Sequence, residues 1–285
     1  MSRKILSVML AFLGVAWADA EPAMWVIKDS DSTIYLIGTL HLLKHDAEWN
    51  SEKVKKTVGE STELWLEVAE LDNQTAMRPL IATHGKDPSK PLSKKLNQEQ
   101  RKKLAKMAAT YSMPVATLEP MQPWLAAVVL AGMPLAKAGY DPQAGIDRAL
   151  KAQAVAEGDQ IRGFETVRDQ VLMFASLSEA AQIVFLVEVL DDLEEGLELV
   201  DKLARAWMDG DTETIARLGV EEMKREAPAV YQKLFVDRNI AWSEKIVEIL
   251  KGSGVQQIAV GAAHLAGPES LQAQLEKRGI KVERY

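Results

Sequence analysis

The sequence of 285 residues contains no cysteine. This excludes disulfide bonds, thiolate metal ligands, a cysteine nucleophile, and haem attached through a Cys-x-x-Cys-His motif. Acidic residues outnumber basic ones by 41 to 34, which gives a formal net charge of −7. Because proteins bind nucleic acid and anionic membrane surfaces through an excess of positive charge, this balance argues against both partners.

Long apolar runs without a charge are also scarce, and one of them lies at the N-terminus. Two basic residues precede the apolar run of residues 5–17, and Ala18 and Ala20 follow it at the two positions that signal peptidase requires. This pattern predicts a signal peptide over residues 1–20 and an exported protein, either periplasmic or secreted. An uncleaved N-terminal anchor is the alternative, but the run is short for a membrane span, which needs roughly 20 apolar residues. We therefore expect no stable membrane insertion after cleavage.

The rest of the chain has the composition of a soluble globular protein, with 47% hydrophobic and 26% charged residues. Short apolar runs typical of strands occur at residues 25–27, 33–37, 63–68, 160–165 and 257–261. The first two flank a polar turn and predict a hairpin. Residues of about 72–158 and 166–251 have mostly helical patterns. The sequence therefore predicts one α/β domain over residues 21–285, with a largely parallel sheet and a large helical insertion.

A few residues predict where individual elements begin and end. Ser51 is a good N-cap for a helix that follows it. Pro142 and Pro268 are each expected to open a helix at its first turn, and Gly279 is expected to close the last helix. Residues 280–285 predict a final strand.

Two Gly-x-x-His segments, Gly38–His41 and Gly261–His264, each follow an apolar strand. Together they contain two of the four histidines in the chain. Glu67 and Glu165 lie at the ends of two further predicted strands. In open α/β sheets the ligand site lies beyond the carboxyl ends of the strands, so we expect these four side chains at one edge of the sheet. For either segment alone, the alternative is a strand-end histidine that local hydrogen bonds satisfy.

Histidines and carboxylates at one sheet edge support two kinds of chemistry. Two histidines and one carboxylate form a three-ligand metal set with an open position for water. The ion then lowers the pKa of that water and makes it a nucleophile. Alternatively, a histidine activates water directly as a general base. The residues alone do not decide between the metal-activated and the histidine-activated water. Parallel strands are either neighbours or far apart in a sheet, so the sequence does not show whether the two histidines reach one ion.

Several motifs, in their order along the chain, resemble the TraB/GumN family, which includes the PrgY-type pheromone-shutdown proteins and the animal Tiki proteases. The resemblance extends from about residue 22 to the end of the chain and rests on Gly38–His41, Leu66-Glu67, Gly145-Ile146-Asp147, Gly163–Thr166 with Gln170, Arg238-Asn239 with Trp242, and Val260–Leu265. It implies an α/β fold shared with the erythromycin-esterase and ChaN-like proteins.

The resemblance also implies roles for particular residues. By it, His41, Glu67 and His264 bind a divalent manganese, cobalt or zinc ion in a peptidase of the Tiki kind. Glu165 or Glu67 then serves as general base, and the substrate is a peptide or a small molecule. Arg238 matches a further motif and suits the stabilisation of an oxyanion or the binding of a substrate carboxylate. Its alternative role is a helix-surface ion pair, for which Asp237 and Glu244 are the candidate partners.

Three residues of these motifs are expected to support the site without reacting themselves: Asp147, Gln170 and Asn239. Asp147 lies near a helix start and is suited to orienting His41 or His264, with an ordinary structural hydrogen bond as the alternative. A metal-free, esterase-like hydrolase is the second function that the sequence favours. The third is a non-catalytic protein that binds a peptide or haem, as the PrgY-like and ChaN-like relatives suggest.

Overall fold

The computed structural model describes residues 20–70, 73–192 and 196–285, so residues 1–19 of the predicted signal peptide lie outside the described residues. Within these ranges the strands are β1 Met24–Lys28, β2 Ser32–Thr39, β3 Leu43–Lys44, β4 Glu63–Val68, β5 Tyr140–Asp141, β6 Gln160–Glu165, β7 Gly254–Gly261 and β8 Glu283–Arg284.

Six of these strands form one sheet in the order β6-β4-β7-β2-β1-β8, while β3 and β5 form a separate antiparallel pair. The strands β6, β4, β7 and β2 are parallel neighbours. The strand β1 pairs antiparallel with β2, as the polar turn predicts, and also with β8. The predicted α/β class with a largely parallel sheet is confirmed.

Most of the remaining described chain is helical. The α-helices are α1 Glu52–Glu60, α2 Gln74–His84, α3 Leu92–Lys95, α4 Gln98–Thr110, α5 Val115–Leu118, α6 Pro123–Lys137, α7 Ile146–Glu157, α8 Val167–Ala175, α9 Glu179–Asp192, α10 Gly196–Met208, α11 Thr212–Ile215, α12 Glu221–Glu226, α13 Pro228–Tyr231, α14 Asp237–Ile249 and α15 Leu271–Glu276. Two short π-helical segments, Ala216–Val220 and Gln232–Val236, lead into α12 and α14.

The start of α1 is confirmed, because the Ser51 hydroxyl accepts a hydrogen bond from the backbone of Val54 at 3.3 Å. The start predicted at Pro142 is wrong. This proline opens a 3₁₀ turn, and α7 begins only at Ile146, with Gly145 as its N-cap. The carboxylate of Asp141 caps the start of the 3₁₀ turn, and Gly145, whose ψ of 142° is not helical, separates that turn from α7.

The last helix also begins later than predicted. Pro268 lies in the preceding turn, and Ser270 is the N-cap of α15. Past the helix, Gly279 adopts a left-handed conformation with φ of +80°, and the backbone of Ile280 bonds back to Leu275. This helix-closing turn uses the residues that were expected to begin a strand, so the final strand is only the two-residue β8.

The sheet has apolar layers on both faces, because successive side chains of a strand point to opposite sides. Ile37 and Leu66 lie in the layer that contains residues of α1, α7 and α10. Leu36 and Ile258 lie in the other layer, which contains residues of α14 and α15. Burial on both faces is what parallel central strands require. The central strands β4, β7 and β2 meet this requirement, and their carboxyl ends lie at one edge together with that of the outer strand β6.

The described helices include none that alone is long and apolar enough to span a bilayer. The helices α8 and α9 reach that length and composition only as a pair bent by 97°.

Candidate functional site

The carboxyl edge of the four parallel strands gathers the side chains that the sequence singles out. Glu67 lies in β4 and Glu165 ends β6, whereas His41 follows β2 and His264 lies in the 3₁₀ turn after β7. Arg238, from the first turn of α14, completes the group. Because β7 lies between β2 and β4, both histidines reach the same carboxylate, and the predicted co-location of these residues is observed.

Glu67 is the centre of the group and is almost fully buried, with 6% of its surface exposed. Its Oε1 accepts the backbone N–H of Gly261 at 2.7 Å and lies 3.8 Å from Nε2 of both His41 and His264. Its Oε2 accepts a hydrogen bond from Arg238 at 2.5 Å. Burial by itself raises the pKa of Glu67, but the guanidinium and the other donors lower that pKa well below its usual range. Glu67 is therefore a fixed negative charge.

Arg238 links Glu67 to Glu165. Its Nε and Nη2 donate to the two oxygens of Glu165 at 2.7 and 2.9 Å, a bidentate geometry that fixes the guanidinium plane. Trp242 donates its indole N–H to Glu165 at 3.0 Å, and the guanidinium stacks 4.4 Å above the Trp242 ring. Burial lowers the pKa of Arg238, but the two carboxylates raise it above its ordinary value. Arg238 is therefore a permanent cation.

The helix-surface ion pair considered for Arg238 is not formed. Asp237 pairs with Lys233 at 2.9 Å, and Glu244 pairs with Arg278 at 2.9 Å. Only 11% of the Arg238 side chain is exposed, because α14 packs that side chain over the strand ends and away from the helix surface.

His264 is buried, and both of its ring nitrogens have partners. Nδ1 lies 2.7 Å from Oδ1 of Asn239, whose amide donates to the carbonyl of Glu269 at 2.8 Å. This arrangement makes Nδ1 the protonated nitrogen, since an amide oxygen only accepts hydrogen bonds. Nε2 then accepts a hydrogen bond from Nη1 of Arg238 at 3.0 Å. Burial, together with the Arg238 charge, lowers the pKa of His264 to about 3, even though Glu67 acts in the opposite direction.

His41 has the opposite environment. Its Nδ1 lies 2.8 Å from Oδ2 of Asp147, and the other oxygen of that buried carboxylate accepts the Thr39 hydroxyl at 2.7 Å. About half of the side chain, 55%, is exposed. Desolvation by the pocket walls lowers the pKa of His41, but the charge and hydrogen bond of Asp147 and the charge of Glu67 raise it to about 9. Asp147 thus contacts His41, and Asn239 contacts His264.

Close backbone approach explains the glycines of the two histidine motifs. A Cβ at Gly261 would lie 3.1 Å from Oε1 of Glu67 and 3.3 Å from Nε2 of His41. A Cβ at Gly38 would lie 3.0 Å from the Cα of Ala262, at the start of the other motif. Larger residues at these positions would push the two turns and Glu67 apart, so the glycines allow the two histidines to share one site.

Gln170 lies at the margin of the site, and the two remaining histidines lie outside it. Gln170, from α8, lies at the margin of the group, with its amide 3.4 Å from Oε2 of Glu67. His45 is exposed and pairs with Asp141 at 2.8 Å, and His84 ends α2, so neither belongs to the site.

Two cavities open beside His41. One has a volume of about 450 Å³ and is lined by His41, Glu67, Arg238 and His264, with mostly apolar walls elsewhere. The other, of about 240 Å³, is also lined by His41, Glu67 and Gln170, together with Asp147. His41 therefore borders two cavities, which is the setting for a reacting group in a cleft.

The proposed metal ligands His41, Glu67 and His264 meet only part of what a metal ion requires. Each histidine Nε2 lies 3.8 Å from Oε1 of Glu67, a separation that two ligands of one ion at about 2.0–2.2 Å can have. However, the Nε2 lone pair of His264 is occupied by Arg238, a cation 3.0 Å away. In the described part of the chain no group of three or more histidine, aspartate or glutamate side chains is arranged to hold a metal ion. As arranged, this three-ligand set does not fit a metal.

Two residues that contribute to the site are not predicted from the sequence. Thr39 donates to Asp147 and is 1% exposed, although it is a polar residue at the end of an apolar strand. Phe235 packs against the ring of His264 at 5.0 Å between ring centroids. The signal for Thr39 is its place inside the Gly-x-x-His motif, whereas Phe235 lies in a helical pattern that resembles any core helix.

Comparison with known proteins confirms the family that the sequence motifs resemble. The sequence profile of the TraB/PrgY/gumN family matches residues 23–284. An uncharacterized protein of Treponema pallidum (strain Nichols) is 20% identical over 273 residues, which cover 91% of this chain and 82% of that protein. No solved structure matches the chain.

Proposed function

The chain belongs to the TraB/PrgY/gumN family, and we propose that it is a hydrolase in which His41, oriented by Asp147, activates the attacking water without a metal ion. One observation carries this proposal. The contact between Nδ1 of His41 and the Asp147 carboxylate leaves Nε2 without a hydrogen bond to the described residues, 3.8 Å from Glu67, on a ring that borders two cavities. A histidine held by a carboxylate on one nitrogen and open on the other is the usual arrangement of a general base.

The other ionisable groups of the site are poorly suited to taking a proton. Glu67 accepts hydrogen bonds from Arg238 and Gly261, and its pKa is well below the usual range, so it is a weak base. Both ring nitrogens of His264 are engaged. Glu165 accepts two hydrogen bonds from Arg238. Arg238, Glu165 and His264 instead form a fixed hydrogen-bonded frame that holds Glu67 beside His41.

The reaction follows from these roles. Nε2 of His41 removes a proton from water while the water oxygen bonds to the carbonyl carbon of an ester or amide, and the π electrons of the C=O bond move to the carbonyl oxygen. This tetrahedral oxyanion restores the C=O bond when the leaving group departs. The resulting imidazolium is stabilised by Asp147 and Glu67. It then returns the proton to the leaving alkoxide or amine as the bond to the carbonyl carbon breaks. The products are a carboxylic acid and an alcohol or amine, and His41 is neutral again.

The electrostatics predict an alkaline pH profile. With a His41 pKa of about 9, the neutral base is only about 1% of the population at pH 7. Activity should therefore rise with pH and level off above about pH 9. A profile that instead falls through this range would contradict the role of His41 as a base.

The direct test uses purified wild-type protein, two variants, and ester and peptide substrates. His41→Ala should lower kcat/KM by about 10²–10⁴-fold, the usual contribution of a general base. His45→Gln is the matched control, because His45 is an exposed histidine paired with Asp141. Activity in His41→Ala equal to that of the control would refute the proposal.

Metal-dependent peptidase activity, as in Tiki proteins, is the second candidate, favoured by the equal 3.8 Å spacing of His41 and His264 from Glu67. Thorough chelation followed by assay separates the two. Full activity after metal removal supports the metal-free hydrolase. Loss that manganese, cobalt or zinc restores supports the second candidate and contradicts the first. Saturable binding of a peptide or haem with no turnover would instead favour a binding protein.

A further inference from the structure

We infer that the apolar part of the 450 Å³ cavity beside His41, here named the apolar subsite, binds a large uncharged apolar group of the substrate, attached to the carbonyl that is attacked. The assignment of this group to the carbonyl side rests on the proposed hydrolase function. Two kinds of substrate carry such a group: acyl esters and peptides with bulky apolar residues. Both have an aliphatic or aromatic chain next to a carbonyl.

The walls of the apolar subsite come from five elements of the helical region. They are formed by Met173 and Phe174 of α8, Leu203 of α10, Ile215 of α11, Gly219 of the first π-helical segment, and Leu234 and Phe235 of the second. The polar side chains of the cavity come from the strand ends (Thr39, His41, Glu67 and His264) and from two helices (Gln170 of α8 and Arg238 of α14). A ligand in this cavity thus contacts a few polar groups beside His41 and hydrocarbon over most of the remaining wall.

The charges lining the cavity are already paired with one another. Arg238 is bound to Glu67 and Glu165, and Glu67 is in contact with both histidines of the site. A charged substrate group in the apolar subsite would lose water without gaining an ion partner, which is unfavourable. An apolar group would gain from burial, and the cavity volume lies in the range of roughly 300–1,000 Å³ found for small-ligand sites.

Gly219 keeps this subsite open. A Cβ built on Gly219 would have only Leu203 within 4 Å, with its two methyl carbons at 3.7 and 4.0 Å, so a larger side chain has room to extend along the subsite wall. The backbone of Gly219 is not in the left-handed region, so the substitution carries no conformational strain. Gly219 lies in a π-helical segment, and such segments often mark functional sites in helical proteins.

The substrate arms of the test distinguish the two sources of the apolar group. One arm is a series of 4-nitrophenyl esters from acetyl to octanoyl, and the other is a series of peptides with Ala, Leu or Phe on the carbonyl side of the scissile bond. Each buried methylene is expected to raise kcat/KM by up to about fourfold until the subsite is full. A preference confined to one arm identifies the source, and a rate that does not increase with apolar size in either arm overturns the inference.

Gly219→Leu tests the location of the subsite. It should lower kcat/KM for the octanoyl ester or the Phe peptide by at least about tenfold, while the acetyl ester or Ala peptide changes by less than about twofold. Gly59→Leu is the matched control, because Gly59 is a helical glycine of α1 whose built Cβ has no atom within 4 Å. Equal loss for short and long substrates would overturn the inference, since it would indicate general damage.

Binding without turnover separates this inference from the proposed function. Octanamide and acetamide are titrated calorimetrically into wild-type protein, His41→Gln and Gly219→Leu. Tighter binding of octanamide to wild type and His41→Gln, lost in Gly219→Leu, supports the subsite even if no substrate is hydrolysed and the hydrolase proposal fails. Octanamide binding no tighter than acetamide overturns the subsite, whether or not the protein is a hydrolase.

Discussion

The contrast between the two site histidines leads to a prediction about Asp147. In Asp147→Asn the side chain keeps its shape, so its oxygen still accepts the hydrogen bond from Nδ1 of His41, but the negative charge is lost. The buried position of residue 147, at 4% exposure, gives the new amide little freedom to turn away. The substitution therefore removes the charge while leaving the orientation of His41 largely intact.

The size of the effect follows from the causes of the His41 pKa. Desolvation lowers this pKa, and the charge and hydrogen bond of Asp147 are the largest effects that raise it, from an ordinary 6.5 to about 9. Glu67 contributes less and remains in the variant. We therefore expect the His41 pKa in Asp147→Asn to fall below about 8, since one charge–charge interaction at this distance commonly accounts for about 1–3 pH units.

The assay is NMR titration of the histidine ring signals, which needs no substrate. The chain has only four histidines, and the His41 signal is identified as the one missing from His41→Gln. Asp141→Asn, which alters the partner of His45, is the control and should leave the His41 titration unchanged. A His41 signal that still titrates near pH 9 in Asp147→Asn, or near pH 6.5 in wild type, would refute the electrostatic reasoning.

Two further predictions concern stability. Arg238→Met leaves Glu67 and Glu165 buried without their cation, so the free energy of unfolding should fall by about 3–5 kcal/mol in urea denaturation; a change under about 1 kcal/mol would contradict this. His264 has a folded pKa of about 3, below its ordinary 6.5, so the unfolded chain binds the proton first. Its contribution to stability should therefore be complete above pH 6.5 and fall towards pH 3, by up to about 1.4 kcal/mol per pH unit. A His264→Gln variant with the same acid slope would refute that assignment.

The sequence predicts the edge of the sheet at which the site lies, but not the order of the strands. Apolar runs that end in Glu67, Glu165 or a Gly-x-x-His segment locate four strand ends, because ligand sites of parallel sheets lie at the carboxyl ends. The strand β7 comes long after β4 along the chain, yet it lies between β4 and β2. That insertion gives both histidines the same 3.8 Å distance to Glu67, and no local pattern encodes it.

The partners of Arg238 illustrate what local patterns miss. From the sequence alone, the near acids Asp237 and Glu244 are its natural partners on a helix surface. In the fold, α14 begins over the strand ends, so that Arg238 meets Glu67 and Glu165, 171 and 73 residues earlier in the chain. Buried ion pairs of this kind depend on tertiary packing, and only the family motif pointed towards a functional role for this arginine.

The two Gly-x-x-His segments show how a repeated motif produces unlike chemistry. Each places a histidine 3.8 Å from Glu67, and each histidine has its Nδ1 against an oxygen of a side chain from a helix. For His41 that oxygen belongs to the Asp147 carboxylate, which favours the charged ring. For His264 it belongs to the neutral amide of Asn239, while Arg238 opposes a second positive charge at Nε2. The pKa of His41 is therefore about 9 and that of His264 about 3, so the two matching segments place their histidines in different proposed roles. It follows that a His264 substitution should act by loosening Glu67 and Arg238, whereas a His41 substitution removes the proposed base itself.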